Sequence, residues 1–346
     1  MPGSLPILDL RRFEAGHPER DDALLELRRV ARSVGFFYLA GHGIPQEEID
    51  GIIALSKRFF ALPEADKLEI QMVKSPHFRG YNRAGAEFTR GKQDWREQVD
   101  FGTDRAPLNV KPGDPAWKRL TGPNQYPSAL PDLKPAVEKW LADVTDVGIR
   151  VLKAFAAALG QPEDVFEPIY EGGPNQLLKI IHYPGRDHTE SDQGVGAHKD
   201  SGFVTILLQD TVPGLQVEGE DGWIDAPPVR GTFVVNIGEI LELASNGYLR
   251  ANVHRVVTPP GSTDRLSIAF FLGASLAASV PVLDLPPELA AEVRGLTADP
   301  QNPLFREVGR NFLKSRLRSH PDVAQAHHAD LLDPEQRTAK LVANAY

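Results

Sequence analysis

Residues 194–208 read Gly-Val-Gly-Ala-His-Lys-Asp-Ser-Gly-Phe-Val-Thr-Ile-Leu-Leu, with His198 and Asp200 at the junction of two short strand candidates. Residues two apart in an extended chain face the same side, so both side chains can reach one metal ion while Lys199 points away. His254, at the start of another strand candidate, is the expected third ligand. Two imidazoles and one carboxylate leave metal positions open, which is typical of non-haem Fe(II) sites. The stretch therefore predicts an iron site within β-structure.

Two further His-x-Asp sequences occur near the C-terminus, His320-Pro-Asp322 and His328-Ala-Asp330. A His-x-Asp sequence alone is weak evidence for a metal site, and neither of these two lies between strand candidates. We expect both to be solvated surface pairs.

A second motif follows the third ligand candidate by eleven residues, Arg265-Leu-Ser267. Strand alternation places Arg265 and Ser267 on one face, with Leu266 on the other. An arginine inside a β-barrel is costly unless it meets an anion. Its guanidinium can bind a carboxylate through two parallel hydrogen bonds, and the serine hydroxyl can add a third. The alternative is a structural ion pair with an internal acid, but the neighbouring iron motif favours a bound carboxylate.

The pattern along the chain predicts a mainly β fold with helical flanks. Helices are expected over residues 20–33, from Pro45 to before Pro63 and over 135–159. Short strand candidates separated by Pro, Gly and Asp turns are typical of a double-sheet jelly roll; they are 176–183, 193–198, 203–208, 214–218, 232–236, 253–257, 265–272 and 279–282. We interpret 1–346 as a single domain, with a largely helical part (1–175), a jelly-roll core holding the iron site (176–283), and a C-terminal helix and loosely packed polar tail (284–346).

The composition of the chain excludes several kinds of metal site and argues against several classes of protein. The chain has 346 residues, no cysteine and a formal net charge of -9. The absence of cysteine excludes disulfides, thiolate zinc sites and iron–sulfur clusters, so any metal must be held by histidine and carboxylate. No basic stripe is present, which argues against nucleic acid as the main partner. No apolar run reaches the ~18 residues of a membrane span, and the start shows no secretion signal, so we expect a cytoplasmic protein.

The order of motifs resembles the isopenicillin N synthase-like branch of the 2-oxoglutarate/Fe(II)-dependent oxygenase superfamily. The resemblance covers most of the chain and rests on several motifs besides His198-Lys-Asp200. They are Pro6-Ile-Leu-Asp9, Gly35-Phe-Phe-Tyr-Leu-Ala-Gly-His-Gly-Ile-Pro45, Phe59-Phe-Ala-Leu-Pro63, Gly80-Tyr81, Tyr183-Pro184, Asn236-Ile-Gly238, His254-Arg-Val256 and Arg265-Leu-Ser267. The resemblance implies a double-stranded β-helix, a distorted jelly roll with iron inside it.

The same resemblance implies the cofactors and their residues. His198, Asp200 and His254 would bind Fe(II), and 2-oxoglutarate would chelate the iron. Arg265 and Ser267 would hold the distal carboxylate of 2-oxoglutarate. Tyr183 matches a position that often hydrogen-bonds this cosubstrate, although a tyrosine that merely ends a strand is an equal alternative. The implied reaction couples oxidative decarboxylation of 2-oxoglutarate by O2 to hydroxylation or desaturation of a small organic molecule. His42 belongs to a structural turn of the family and is not counted as a ligand.

Substrate residues are expected in the charged, glycine-rich stretch from Arg79 to Glu97, which also contains Arg96. Part of this stretch, and Arg318-Ser-His-Pro-Asp322, resemble bacterial ethylene-forming enzymes. By that likeness Glu87 and Arg318 would hold the ends of an amino acid. The Arg-x-Ser pair departs from those enzymes and favours hydroxylation over ethylene formation.

Four apolar residues are candidates for lining the barrel, with core packing the expected role for most: Phe203, Leu207, Phe233 and Phe271.

Two other functions remain open from the sequence. An oxidase like isopenicillin N synthase would take all its electrons from its substrate, and Arg265 would then bind a substrate carboxylate. A jelly-roll metal-binding sensor would lack turnover. In each case the expected partner is a small molecule, an amino acid or a natural-product intermediate for the enzyme, with no nucleic acid, membrane or obligatory protein partner.

Overall fold

In the part of the chain that the structure describes, the β-strands form one sheet of eight strands, one of four and a short hairpin. In this computed structural model residues 4–170, 172–296, 303–334 and 336 are described. The strands are β1 (Ile7–Asp9), β2 (Phe36–Ala40), β3 (Gly80–Asn82), β4 (Phe88–Thr89), β5 (Lys92–Gln93), β6 (Glu97–Gly102), β7 (Asn175–Tyr183), β8 (Gln193–His198), β9 (Val204–Gln209), β10 (Leu215–Gly219), β11 (Gly222–Asp225), β12 (Phe233–Ile237), β13 (His254–Val257) and β14 (Arg265–Gly273).

Helices flank these sheets. They are α1 (Arg20–Ser33), α2 (Gln46–Phe60), α3 (Glu64–Glu69), α4 (Leu133–Ala158), α5 (Glu239–Ala244), α6 (Pro287–Ala290), α7 (Val308–Ser319) and α8 (Pro321–His327). The three helices expected in the first half of the chain are confirmed as α1, α2 and α4. Within the described residues, no helix combines the length and the apolar content that crossing a membrane requires.

The large sheet has the strand order β1-β2-β12-β9-β14-β7-β6-β3, and the small sheet has the order β11-β10-β13-β8. Among the strands of the described residues, all pairings in these two sheets are antiparallel except that of β1 with β2. Residues of both sheets line one cavity, so the sheets face each other across it. The predicted jelly roll with helical flanks is confirmed.

Helix α4 packs on the outer face of the large sheet. Leu266, Ile268 and Phe270 alternate along β14 and join the core formed with this helix. Gly148 allows the close approach, because a Cβ atom there would lie 3.1 Å from the side chain of Leu272. The opposite face of β14 is left for Arg265, as strand alternation predicts.

Several expectations for individual segments need correction. No strand forms over 279–282; Ser279 makes only an isolated bridge to Glu307. The segment 97–102 is a strand, so the N-terminal part supplies more of the large sheet than expected. The tail after Pro321 begins with α8, whose Val323 is fully buried, and is therefore not loosely packed there. Residues 337–346 of the tail lie outside the described residues.

Candidate active site

The three predicted ligands meet between the two sheets. Nε2 of His198 lies 3.5 Å from Oδ1 of Asp200, and Nε2 of His254 lies 3.7 Å from the same oxygen. One potential ligand atom from each residue lies within 4.8 Å of the others. His254 is brought opposite His198 because β13 pairs with β8 at this register. The three side chains can therefore coordinate a single ion.

Each histidine is oriented through its other ring nitrogen. Nδ1 of His198 lies 2.8 Å from the carbonyl oxygen of Gly196, and Nδ1 of His254 lies 3.3 Å from that of Asn252. A proton on Nδ1 that is shared with a carbonyl leaves Nε2 free to bind a metal. Phe36 packs edge-on against His254, with ring centroids 5.1 Å apart.

Asp200 is held by its second carboxylate oxygen. Oδ2 accepts hydrogen bonds from the Thr205 hydroxyl at 2.6 Å and from the Asn236 side chain at 2.8 Å. The residue after the Asn236 strand is Gly238, where a Cβ atom would lie 2.0 Å from the carbonyl oxygen of Gly202. Any side chain at this position would clash with the backbone beside the iron motif. The last residue of the Asn-Ile-Gly motif must therefore be glycine.

The protonation states of the three residues suit metal binding. Burial raises the pKa of Asp200, but His254 and His198 outweigh it, so the pKa lies well below its usual range. Burial and the nearby His198 lower the pKa of His254 to about 4. Burial lowers the pKa of His198, but its hydrogen bond and charge interaction with Asp200 raise it above the usual value. Asp200 is thus ionised and His254 neutral near neutral pH, and metal binding would release any proton on His198.

Arg265 and Ser267 line the same cavity from β14. Arg265 is fully buried, and its Nη2 donates to Gln209 at 2.8 Å. Its Nε and Nη1 atoms and the hydroxyl of Ser267 have no hydrogen-bond partner among the described residues. Tyr183, opposite Arg265 on β7, lies beneath the guanidinium, 4.8 Å from ring centroid to Cζ. The structure therefore brings together all six residues predicted for the iron and its cosubstrate.

The cavity has a volume of about 470 Å³ including its mouth. Its remaining wall is largely apolar, and the apolar or aromatic members are Phe36, Ile181, Val195, Leu207, Leu215, Val256, Ala269 and Phe271. Of the four residues considered for this wall, Leu207 and Phe271 line the cavity. Phe203 and Phe233 pack in the core on the helical side of the large sheet.

Comparison with known proteins identifies the family. A model described as the 2OG-Fe(II) oxygenase superfamily matches residues 174–274. A model described as the N-terminal part of non-haem dioxygenases in morphine synthesis matches residues 5–129. A 2-oxoglutarate-dependent dioxygenase of Dothideomycetidae sp. is 38% identical over 93% of this chain and 91% of its own. The chain belongs to the 2OG-Fe(II) oxygenase superfamily.

Further similarities agree with this membership. A homoarginine-6-hydroxylase of Arabidopsis thaliana is 36% identical over 81% of this oxygenase and 80% of its own chain. The crystal structure of a full-length Neurospora crassa protein in complex with α-KG and thymine superposes with a TM-score of 0.70 at 25% identity, covering 90% of this chain and 96% of the Neurospora chain. The protein is therefore a 2-oxoglutarate-dependent dioxygenase that uses Fe(II) and O2. The oxidase independent of 2-oxoglutarate is not favoured.

A buried cluster of charged residues adjoins the cavity of this oxygenase. Nη2 of Arg96, which lines the cavity, lies 2.6 Å from Oε2 of Glu87. Nζ of Lys179 lies 3.0 Å from Oε1 of Glu87 and 3.4 Å from Oδ2 of Asp100. Burial raises the pKa of Glu87, but Arg96 and Lys179 keep it well below its usual range. Glu87 is therefore an ionised carboxylate one residue away from the cavity.

The other predicted substrate residues lie elsewhere. Arg79 is buried against Gly102, and neither Nε nor Nη1 has a hydrogen-bond partner among the described residues. Glu97, the first residue of β6, pairs with Lys67 at 2.8 Å. Arg318 is exposed at the end of α7. None of these three side chains lines the described cavity.

The two additional His-x-Asp sequences are not surface pairs, contrary to expectation. His320 and His328 are both fully buried. His320 hydrogen-bonds the Asn82 side chain at 3.1 Å, and His328 contacts the carbonyl oxygen of Pro76 at 2.8 Å and stacks on Phe78. The imidazoles join α8 and its flanks to the body of the fold, so their role is in packing.

Some residues of the site were missed by the sequence analysis. Thr205 and Asp94 had no assigned role, and no motif marks Thr205. A signal did exist for β6 and the residue before it: Arg96, Gln98 and Asp100 are polar and lie two apart, as side chains on one face of an extended segment do. All three are buried.

Proposed function

We propose that His198, Asp200 and His254 hold Fe(II) and that Arg265 and Ser267 bind the distal carboxylate of 2-oxoglutarate. One observation carries the proposal: buried donors without partners among the described residues line the cavity that contains the three ligand residues. A buried donor without a partner costs about 1–3 kcal/mol. A carboxylate that accepts from both side chains removes this cost. Tyr183 completes the proposed cosubstrate site from the neighbouring strand.

The donor set fits the metal. Two imidazole nitrogens and a carboxylate oxygen, all within 4.8 Å, suit a divalent ion such as Fe(II) and leave positions for other ligands. Bound Fe(II) would supply the activation of O2 that, together with 2-oxoglutarate, oxidises a C–H bond of the substrate. The chain itself orients the ligands. Thr205 and Asn236 fix Asp200, while the apolar wall limits water around the reacting groups.

We further propose that the reaction is hydroxylation of an amino acid with a basic side chain, whose cation pairs with Glu87. Glu87 is buried, ionised and connected to the cavity by Arg96. A substrate cation would share this carboxylate with Lys179 and Arg96, which have further carboxylate neighbours in Asp100 at 3.4 Å and Asp94 at 3.6 Å. The homoarginine-6-hydroxylases among the relatives support a substrate of this class. The roles of Arg79 and Arg318 stay predictions.

Anaerobic titration of the Fe(II)-loaded protein with 2-oxoglutarate tests the cosubstrate site. We expect a weak visible charge-transfer band on chelation. With iron bound but no band, the assignment of the cosubstrate residues would fail.

A second assay tests the substrate class. Succinate formation is measured with homoarginine, arginine and lysine, and with thymine as an uncharged control. We expect stimulation by the basic amino acids together with a product heavier by one oxygen atom. Stimulation by thymine alone would reject the substrate class while leaving the iron and 2-oxoglutarate sites intact.

A further inference from the structure

Asp94 is a fully buried acid in the segment between β5 and β6. Its Oδ1 accepts hydrogen bonds from the backbone N–H of Gly196 and from the side chain of Gln193, both at 3.0 Å. Its Oδ2 accepts from the hydroxyl of Thr89 at 2.7 Å. Gly196 and Gln193 both belong to β8, the strand that ends at His198. The acid therefore anchors the strand that carries a proposed iron ligand.

Gly196 connects Asp94 to the side chain of His198. The Gly196 carbonyl oxygen is the group that lies 2.8 Å from Nδ1 of the imidazole. Gly196 is also packed closely on β4, because a Cβ atom there would lie 2.9 Å from Cβ of Thr89. The backbone beside the histidine is thus fixed by a hydrogen bond to a buried carboxylate and by a close contact with the hairpin.

Asp94 also holds the hairpin that contains β4 and β5. Its backbone N–H donates to the carbonyl oxygen of Glu87 at 3.0 Å, and its own carbonyl accepts from the N–H of Gly85 at 3.0 Å. Oδ2 lies 3.6 Å from Nη2 of Arg96. The same residue therefore contacts the strand of His198 and also Glu87 and Arg96.

We propose that Asp94 is a positioning residue that fixes the imidazole of His198 through Gly196 and joins the iron strand to the hairpin carrying Glu87. This inference rests on the proposed iron site. Its essential element is acceptance of the Gly196 N–H by an oxygen of residue 94. Asparagine keeps such an oxygen, whereas alanine removes it, so the two substitutions separate the hydrogen bond from the negative charge.

The test measures Fe(II) binding to the metal-free protein by anaerobic calorimetry. For Asp94→Ala we expect a loss of about 10- to 100-fold in affinity, the range found when a group orienting a metal ligand is removed. Asp94→Asn should regain most of it. The matched control is Asp100→Ala, which removes another fully buried acid that binds Lys179 and Arg316 instead of β8. Its Fe(II) affinity should stay close to that of the wild type.

A second readout reports on the imidazole directly. In the metal-free protein, at a pH high enough for the His198 imidazole to be neutral, its nitrogen NMR shifts should show one dominant tautomer in the wild type and in Asp94→Asn, and tautomer mixing in Asp94→Ala. If Asp94→Ala does not fold, Gly196→Ala replaces it. That variant keeps the acid but pushes β8 away from Thr89, and it should weaken Fe(II) binding similarly.

The outcomes separate this inference from the proposed function. Unchanged Fe(II) affinity in Asp94→Ala, or in Gly196→Ala if that variant is used, overturns the positioning role. An equal loss in Asp100→Ala overturns it too, because the effect would then belong to the charged cluster as a whole. If the wild type binds no Fe(II), or if His198→Ala binds it as tightly as the wild type, the proposed iron site itself is wrong.

Discussion

Asn236 donates a hydrogen bond of 2.8 Å to Oδ2 of Asp200, the oxygen that the two histidines do not approach. Thr205, paired with Asn236 across β9 and β12, donates to the same atom at 2.6 Å. One carboxylate oxygen is thereby fixed by the large sheet, and the other is aimed between His198 and His254. The two sheets of the jelly roll each contribute to the proposed metal site: β8 and β13 provide the imidazoles, while β9 and β12 orient the acid.

Removing one of the two side chains that orient Asp200 should weaken iron binding. For Asn236→Ala we expect Fe(II) affinity to fall by about 10- to 100-fold, because the carboxylate loses one of its two fixed donors. Calorimetry of the metal-free protein measures the change. Lys199→Ala is the control: Lys199 lies between the two ligand residues but pairs with Glu242 at 3.4 Å. A loss in Lys199→Ala as large as in Asn236→Ala would contradict the assignment of strand faces.

The Arg-x-Ser motif should control the 2-oxoglutarate requirement. Removing one partner of a buried charge pair costs about 2–5 kcal/mol, so Arg265→Ala should raise the KM for 2-oxoglutarate at least ~30-fold. Ser267→Ala removes one hydrogen bond, about 0.5–1.5 kcal/mol, and should raise this KM by roughly 2- to 13-fold. Fe(II) affinity should change little in both variants. An unaltered KM in Arg265→Ala would mean that the guanidinium has a structural role.

The sequence predicted those parts of the structure that depend on local pattern. Alternation along 265–272 identified both the strand and its polar face, and the spacing of His198 and Asp200 identified the ligand pair. The strand β6 was missed because its charged residues resemble a loop. Their burial depends on β7, whose Lys179 and Ile181 lie opposite Asp100 and Gln98 in the sheet.

Helix α7 is a second case in which the local sequence could not tell which side chains are buried. Motif likeness selected Arg318, but Arg316 is the buried arginine, with Nη2 2.8 Å from Asp100 and 2.9 Å from the carbonyl oxygen of Phe78. Residues two apart on a helix face nearly opposite directions. Which of the two faces the core is decided by the surface on which the helix packs, and that surface is formed by residues more than two hundred positions earlier in the chain.

Glu87 should determine the response to basic amino acids. Glu87→Gln keeps the size of the side chain but removes the charge, so the KM for a basic substrate should rise by about tenfold or more, since a hydrogen bond to a charged group contributes about 1.5–3 kcal/mol. The charge-transfer band formed with 2-oxoglutarate should be retained. Succinate assays over a range of substrate concentrations measure the effect.

The matched control for this variant is Glu97→Gln. Glu97 also pairs with a lysine, but it is only partly buried and lies on the other face of β6. Its loss should lower thermal stability without changing the substrate KM. If both variants raise the KM equally, the effect comes from general loosening of β6, and Glu87 has no direct part in substrate binding.

His182 should make stability depend on pH. Its Nδ1 lies 2.8 Å from Oε1 of Glu97, and its Nε2 lies 3.1 Å from Oδ2 of Asp264. Burial lowers the pKa of His182, but these two carboxylates outweigh it and raise the pKa above its ordinary value of 6.5. Folding therefore favours the protonated imidazole. The contribution of His182 to the free energy of unfolding is complete below its ordinary pKa. It is lost as the pH rises through the raised pKa that His182 has in the folded protein.

The free energy of unfolding in urea, measured with a metal chelator present, tests this linkage in the chain alone. The difference between wild type and His182→Gln should be largest near pH 6, at about the ordinary pKa, and should shrink towards about pH 8.5. Phe60 stacks on the His182 ring and its contribution does not titrate, so part of the difference should persist at high pH. A difference that is constant over this range would show that His182 acts only through packing, with no preference for its protonated form.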